Sequence, residues 1–253
     1  MVKVLDCTLR DGSHITNFSK DVILDTLFAA EKSGIDFIEV GYSMPEFITS
    51  KLPNSVVMIN AKNITPVSEF AEFVRVACYP DEIKKAISAV EDYKSQGFGV
   101  FLHIMTADKF EDFDYLKSWQ NKDILESLYF ADSFGAMMPI DVERVYKNFQ
   151  NCGFEKISFH AHNNLQLAFP NTIKAVELGA YCVDASVYGM GRGAGNLPIE
   201  LLFKYLNKDY SEYLKLIKKH YISIRKENYW GYDYKNLIGG LENIHPSKVK
   251  AIE

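Results

Sequence analysis

The sequence has few of the features that mark secreted, membrane or nucleic-acid-binding proteins. Its four cysteines, Cys7, Cys78, Cys152 and Cys182, are scattered, so neither a disulfide framework nor a cysteine zinc site is expected. Lys and Arg total 28 against 33 Asp and Glu, which argues against a nucleic-acid partner. No apolar run approaches membrane-spanning length, and no signal-peptide pattern opens the chain. We therefore expect a cytoplasmic protein that does not associate with membranes.

Short apolar runs alternate along the chain with longer amphipathic runs. The predicted strands cover residues 4–9, 37–41, 55–59, 74–77, 99–105, 127–131, 156–160 and 182–187. The clearest helical runs cover residues 20–33, 81–95, 141–151 and 167–178. Several strands, such as VVMI and FGVFLHIM, are apolar on both faces, as in a parallel sheet covered by helices. The pattern predicts eight strand–helix units closed into a (β/α)₈ TIM barrel.

A doubly wound open sheet is the alternative fold. It often carries G-x-G-x-x-G after its first strand, whereas this chain has Arg-Asp-Gly-Ser-His there, which favours the barrel. We assign residues 1–200 to the barrel. Residues 201–253 are predicted to form a helical and aromatic C-terminal extension packed on it.

Polar residues cluster where the first and seventh predicted strands end. His160 and His162 are two residues apart, so in a strand both side chains point to the same side. Together with Asp11 they would make a two-histidine, one-carboxylate metal site with open positions for substrate. The alternative is a pair of hydrogen-bonded histidines at the barrel rim.

Two further motifs allow more than one interpretation. Arg10, beside Asp11, could hold a substrate carboxylate and steady an enolate oxygen, or could form a structural ion pair. The glycine-rich segment 189–196, GMGRGAGN, could bind phosphate, bring Asn196 to the metal or serve as a flexible connection.

The remaining histidines receive structural interpretations. We expect His103 to be a polar lining residue or a hydrogen-bonded core histidine. His220 is expected on a solvated helix and His245 in a loop.

Several motifs in order resemble one superfamily. They are DCTLRDGSH (6–14), IEVGY (38–42), ADSFGAM (131–137), HAHNN (160–164) and GMGRGAGN (189–196). Over about residues 4–200 the chain resembles the metal-dependent lyases built on a TIM barrel. These include 3-hydroxy-3-methylglutaryl-CoA lyase and the 2-isopropylmalate and homocitrate synthases. The combination of LRDGSH and ADSFGAM looks most similar to the 4-hydroxy-2-oxovalerate aldolase branch.

The resemblance implies a metal centre and a reaction. The ion would be Mn²⁺ or Mg²⁺, with Zn²⁺ as a further option, held by Asp11, His160 and His162. A 4-hydroxy-2-oxo acid would be cleaved to pyruvate and an aldehyde. The resemblance assigns Arg10 to enolate stabilisation and His14 to the role of catalytic base.

The same resemblance assigns further positions. Ser133 would lie near the pyruvate carboxylate, and Asn196 would lie near the metal. A tyrosine from beyond the barrel corresponds to Tyr232 or Tyr234, of which Tyr232 is the catalytic candidate.

Departures from the family pattern keep other functions open. The segment GMGRGAG lacks the catalytic cysteine of the CoA-lyase branch. The aldolase branch continues into a longer helical domain that contacts an aldehyde dehydrogenase. This chain stops at Glu253, so that partner and self-association both stay open. The alternatives are an acyl-CoA-dependent condensing enzyme and a non-catalytic subunit that binds a metabolite or a partner protein.

Overall fold

Eight parallel strands close into a barrel in the computed structural model, which describes residues 1–244 and 246–249. The strands follow the chain order around the barrel, and β1 pairs with β8 to close it. They are β1 (Lys3–Asp6), β2 (Phe37–Gly41), β3 (Ser55–Asn60), β4 (Phe73–Cys78), β5 (Gly99–Ile104), β6 (Leu125–Asp132), β7 (Ile157–Ala161) and β8 (Cys182–Ala185). The predicted TIM barrel is confirmed.

Helices follow most of the strands and continue beyond the barrel. They are α1 (Thr8–Gly12), α2 (Lys20–Lys32), α3 (Ile83–Ser95), α4 (Phe113–Ser118), α5 (Pro139–Asn151), α6 (Ala168–Glu177), α7 (Ile199–Tyr205), α8 (Ser211–Leu216), α9 (Ile222–Glu227), α10 (Tyr234–Leu241) and α11 (Pro246–Val249). A π-helical turn, Ile217–Tyr221, joins α8 to α9. Short 3₁₀ helices lie at Pro80–Glu82, Ala107–Lys109, Lys122–Ile124 and Val187–Gly189.

Two predicted strands are too long, and two predicted helices do not form. The first strand ends at Asp6, whose carboxylate accepts a hydrogen bond from the Thr8 backbone N–H (2.9 Å) and turns the chain into α1. The eighth strand ends at Ala185. The fully described segments 42–54 and 61–72, which follow β2 and β3, contain no helix. Both carry proline, which removes a helical N–H donor.

The interior of the barrel divides into an apolar end and a polar end. Aromatic and aliphatic side chains fill the amino-terminal end, among them Leu5, Phe37, Val56, Phe101 and Tyr129. A second, larger core lies between the strands and the surrounding helices. The buried polar side chains of the barrel interior collect nearer the carboxyl ends of the strands, where TIM-barrel enzymes place their active sites.

The C-terminal extension packs against the barrel. The proposed boundary at residue 200 falls inside α7, the first α-helix after β8. The buried Tyr213 of α8 donates a hydrogen bond to Asp6 (3.1 Å), and the Tyr221 hydroxyl lies 2.9 Å from Thr26 Oγ1 of α2. Within the described residues no helix has the length and apolar character needed to span a membrane. His245 lies outside the described residues.

Candidate metal and substrate site

Three buried side chains converge at the carboxyl end of the barrel. Asp11 comes from α1, His160 lies near the end of β7, and His162 follows it by two residues. One ligand atom from each lies within 4.8 Å of the others. The predicted two-histidine, one-carboxylate set is therefore assembled in space, on the same side of the barrel as Arg10.

Hydrogen bonds on the far side of each imidazole orient the two histidines. His160 Nδ1 lies 2.8 Å from Asp184 Oδ2, and His162 Nδ1 lies 3.0 Å from the backbone oxygen of Asp132. Each Nδ1–H is thereby engaged as a donor, which leaves Nε2 unprotonated and available to an ion. His162 Nε2 is buried without a hydrogen-bond partner among the described residues. Such an atom is what a metal-binding position requires.

Local electrostatics keep Asp11 and His162 in the deprotonated form that binds metal. Burial, followed by the charge of His160, lowers the pKa of His162 to about 3. Burial raises the pKa of Asp11, but the charges of Arg10, His162 and Arg192 outweigh it and hold the pKa well below its usual range. A cation would not have to displace protons from these two ligands at neutral pH.

Beneath the ligands runs a buried network of alternating charges. Arg10 Nε donates to Glu39 (2.6 Å), and its Nη1 donates to Asp11 (2.8 Å). Arg75 Nη2 donates to Asp184 (2.7 Å), and its Nε lies 3.2 Å from Glu39. Two guanidinium groups thus face three carboxylates. One negative charge is left over, and buried charge of this kind requires compensation.

The donor set fits a divalent cation. Two imidazole nitrogens and one carboxylate suit Mn²⁺ and other first-row ions, whereas Mg²⁺ prefers oxygen ligands. Cys7, His160 and Asp184 form a second group of close potential ligands. Asp184 is already engaged by Arg75 and His160, and burial, followed by the charge of Asp184, raises the pKa of the Cys7 thiol well above its usual range. The Asp11 group is therefore the better site.

The glycine-rich loop brings Asn196 to the ligand set. Asn196 Nδ2 donates to Asp11 Oδ2 (2.5 Å) and to the backbone oxygen of Met190 (3.0 Å). A Cβ on Gly191 would lie 2.6 Å from Asp11 Oδ2 and 2.5 Å from Asn196 Nδ2. Gly195 has φ +81° and lies so close to the Gly189 carbonyl that a Cβ would approach its oxygen to 2.2 Å. Of the interpretations left open by the sequence, placement of Asn196 at the metal site agrees with this geometry.

His14 and Tyr42 form a polar pair at the mouth of the site. The Tyr42 hydroxyl lies 2.9 Å from His14 Nε2, which in turn lies 3.9 Å from Asp11. Burial, followed by the charge of Arg192, lowers the pKa of His14 to about 4. His14 is thus neutral at physiological pH.

A small cavity of about 50 Å³ opens beside the ligands. Ser133 lines the cavity and accepts a hydrogen bond from the Thr106 backbone N–H (2.9 Å), which leaves its own O–H free to donate. His103 lines it as well, together with Arg10, His160 and His162.

The tail tyrosines lie elsewhere. Tyr232 and Tyr234 are 52% and 66% exposed, and neither lines the cavity. The neighbouring backbone contacts the glycine-rich loop, since Gly231 N–H donates to the Gly193 carbonyl (3.1 Å). A catalytic role for Tyr232 stays a prediction.

Sequence reasoning did not identify Arg75 and Asp184 as parts of the site. Each is a charged residue within an otherwise apolar strand, in FVRVAC and CVDA. A charge at an inward position of a barrel strand is the signal that could have revealed them. His220 lies on the outer helices, 2.5 Å from Asp25.

Comparisons with known proteins agree with this geometry. Residues 58–218 match the family model described as HMGL-like. A 4-hydroxy-2-oxovalerate aldolase of Bacillus thuringiensis is 30% identical over 82% of this chain and 70% of its own length. An oxaloacetate decarboxylase of Mycobacterium tuberculosis is 27% identical over 81% and 70% of the two chains.

A solved structure is similar over nearly the whole chain. It is the N-terminal domain of a proposed aldolase from Bacteroides vulgatus, with a TM-score of 0.87 and 29% identity over 99% of this chain and 96% of that one. Because the family model covers more than half of the chain and relatives reach 30% identity over most of it, the protein belongs to the HMGL-like family.

Proposed function

We propose that the protein is a divalent-metal-dependent carbon–carbon lyase that cleaves a 4-hydroxy-2-oxo acid to pyruvate and an aldehyde. The observation that supports this most strongly is the convergence of Asp11, His160 and His162, with Arg10 and His14 beside them. The aldolase relatives, at 25–30% identity, support the same chemistry. A bound Mn²⁺ or Mg²⁺ would act as a Lewis acid on the 2-oxo and carboxylate oxygens of the substrate.

Arg10 is positioned to stabilise negative charge as the bond breaks. Glu39 and Asp11 hold its guanidinium from two sides, so the group is already oriented before substrate binds. Its remaining N–H donors can face the oxygen that becomes negative in the enolate of pyruvate. An oriented donor in a buried site contributes more than one in water, because it needs no reorganisation.

His14 supplies the base. It would take the proton of the 4-hydroxyl group, the C3–C4 bond would break, and its electron pair would move into the enolate. The hydroxyl carbon leaves as the aldehyde, and protonation of C3 completes pyruvate. The Tyr42 hydroxyl holds His14 Nε2 at 2.9 Å and thus orients the imidazole. Ser133 is suited to hold the substrate carboxylate through its free O–H.

The test is release of pyruvate from 4-hydroxy-2-oxopentanoate by the Mn²⁺-loaded protein, followed with lactate dehydrogenase and NADH. Asp11→Ala should abolish both Mn²⁺ binding and pyruvate release. Release by Asp11→Ala at the wild-type rate, or failure of the wild-type protein to bind any divalent cation, would contradict the proposal. A wild-type protein that binds Mn²⁺ tightly but cleaves no 2-oxo acid would point to the non-catalytic alternative.

Replacement of His14 separates base catalysis from metal binding. His14→Gln should lower turnover by about 10²- to 10⁴-fold, the usual contribution of a general base, with Mn²⁺ affinity close to that of the wild type. Turnover is measured by pyruvate release and affinity by calorimetry. A parallel loss of both would place His14 among the metal ligands instead.

Oxaloacetate decarboxylation is a second candidate, because one relative carries that name and the reaction also passes through the enolate of pyruvate. Decarboxylation has no hydroxyl proton to remove, so it gives His14 no role as a base. Turnover of oxaloacetate that is unaffected by His14→Gln, without cleavage of 4-hydroxy-2-oxo acids, would favour this candidate. An acyl-CoA binding assay tests the condensing alternative.

A further inference from the structure

His103 is a buried polar side chain in the cavity that the proposed mechanism does not use. It lies on β5 and is only 3% exposed, and its Nδ1 has no hydrogen-bond partner among the described residues. Buried polar groups in proteins are nearly always paired, and an unpaired one is destabilising. Because His103 lines the cavity, a ligand there could supply the missing partner.

The neighbours of His103 are rings that do not pair with its nitrogen. The centroid of the His103 ring lies 5.6 Å from that of the His160 ring, which it meets edge to face. It lies 5.8 Å from the centroid of the Tyr129 ring, and the planes of these two rings are 32° apart. Rotation of the imidazole by 180° about χ2 exchanges Nδ1 with a carbon of similar size. The ring can thus turn Nδ1 toward the cavity at small steric cost.

The position of His103 in the barrel indicates which part of the substrate it meets. In the proposed mechanism an ion on Asp11, His160 and His162 would hold the 2-oxo acid end near β1 and β7. In the closed barrel β3, β4 and β5 lie across from these strands, so the remaining half of the substrate extends toward them. His103 is also in contact with the ring of His160. It therefore lies at the border between the 2-oxo acid end and the rest of the substrate.

The far wall of the cavity is mixed in character. Met58, Ala77 and Met105 are apolar, whereas His103 and Asn60 offer hydrogen bonds. Asn60 Oδ1 accepts a bond from the Lys62 backbone N–H (2.9 Å), which leaves its amide N–H₂ as a donor. An aliphatic aldehyde half would leave these groups unpaired, but a short hydroxylated one would not.

We infer that the substrate is a 4,5-dihydroxy-2-oxo acid and that His103 Nδ1 hydrogen-bonds its 5-hydroxyl group. This inference rests on the proposed function. Cleavage of the C3–C4 bond then releases pyruvate and a 2-hydroxyaldehyde, with the proton of the 4-hydroxyl taken by His14. A site built to pair a substrate hydroxyl discriminates strongly against the analogue that lacks it, because the buried group is then left unpaired.

The experiment compares two substrates that differ by one hydroxyl group, 4,5-dihydroxy-2-oxopentanoate and 4-hydroxy-2-oxopentanoate. The readout is the ratio of their kcat/KM values, from pyruvate release by the Mn²⁺-loaded protein. The wild type should favour the dihydroxy acid by at least about tenfold, the equivalent of about 1.4 kcal/mol. In His103→Met, which keeps side-chain bulk but removes the polar atom, the ratio should fall toward one.

Two control variants separate recognition from general damage. His103→Asn keeps a polar atom near the position of Nδ1 and should retain most of the preference. Met58→Leu conserves the volume of an apolar lining residue and should change kcat/KM for both substrates alike, so that the ratio is kept. Should His103→Met fail to fold, as judged by circular dichroism, His103→Leu takes its place.

The outcomes distinguish this inference from the proposed function. Equal kcat/KM for both acids in the wild type, or an unchanged ratio in His103→Met, would overturn the role of His103 and leave the lyase activity standing. Absence of pyruvate from either acid would overturn the proposed function and the inference with it.

Discussion

Asp184 joins two parts of the site through one carboxylate oxygen. Its Oδ2 lies 2.8 Å from His160 Nδ1 and 2.7 Å from Arg75 Nη2. Burial raises the pKa of Asp184, but Arg75 and His160 outweigh it and keep the group ionised. An ionised acceptor behind an imidazole fixes its tautomer and increases the basicity of the opposite nitrogen. Asp184 therefore acts on a bound ion through His160.

Replacement of Asp184 by asparagine tests that role. Asp184→Asn keeps the shape and an acceptor for His160 but removes the charge, so the affinity for Mn²⁺ should fall by about 10- to 100-fold. Isothermal titration calorimetry measures the affinity, and circular dichroism checks the fold. The exposed Asp209→Asn, which carries the same change in charge away from the site, is the control. Equal affinities in the two variants would show that Asp184 has only a structural role.

At the scale of elements, two short segments build the site on the barrel. Helix α1 is a single turn that carries Arg10 and Asp11 over the barrel mouth, because Asp6 ends the strand and binds the Thr8 N–H. The loop 189–196 returns over it and places Asn196 against Asp11. Both segments depend on close approach of backbone to side chain, which explains why small residues occupy the loop.

A methyl group on Gly191 should disrupt this junction. The added Cβ would meet both Asp11 Oδ2 and Asn196 Nδ2 at contact distances that no structure tolerates, so Gly191→Ala must displace the carboxylate. We expect at least tenfold weaker Mn²⁺ binding and a loss of stability of about 1–3 kcal/mol, as for other overpacked sites.

The matched control is Gly34→Ala, where a Cβ meets nothing within 4 Å. It should cost only the strain of its left-handed backbone, about 1 kcal/mol, and leave Mn²⁺ affinity unchanged. Calorimetry and urea unfolding measure the two effects. Wild-type affinity in Gly191→Ala would mean that the loop does not position the ligands.

For the molecule as a whole, the strand pattern predicted the barrel because each strand is a local apolar run with a recognisable length. Glycine marked the helix ends: Gly34, Gly97, Gly153 and Gly179 all adopt positive φ directly after a helix. The absence of helices after β2 and β3 could not be read from the sequence. Loops of 12–13 residues with proline are long enough to carry a helix, and tertiary packing decides whether they do.

The candidate site was predictable where a local motif carries it. His160 and His162 share a face by strand periodicity, and Asp11 follows the first predicted strand. Arg75, Asp184 and the pairing of Tyr42 with His14 come from residues far apart in sequence, which only the closed barrel brings together. Charge pairing inside a barrel depends on which strands face each other and is not encoded in any short segment.

The stability of the whole molecule should depend on pH through Asp6, which links β1, α1 and α8. Burial raises the pKa of Asp6 to about 6, although Thr8 and Tyr213 donate hydrogen bonds to it. An ordinary pKa of 3.8 in the unfolded chain means that the folded state binds more protons between about pH 4 and 6, so stability falls as pH rises through this range.

Asp6→Asn keeps an acceptor for Thr8 without the charge. Its free energy of unfolding relative to wild type should therefore improve by about 2 kcal/mol between about pH 4.5 and 7.5. Urea unfolding in the presence of a chelator measures this difference, with the exposed Asp123→Asn as control. A difference that stays constant with pH would show that Asp6 is ionised in the folded protein throughout, with its three hydrogen bonds outweighing the cost of burial.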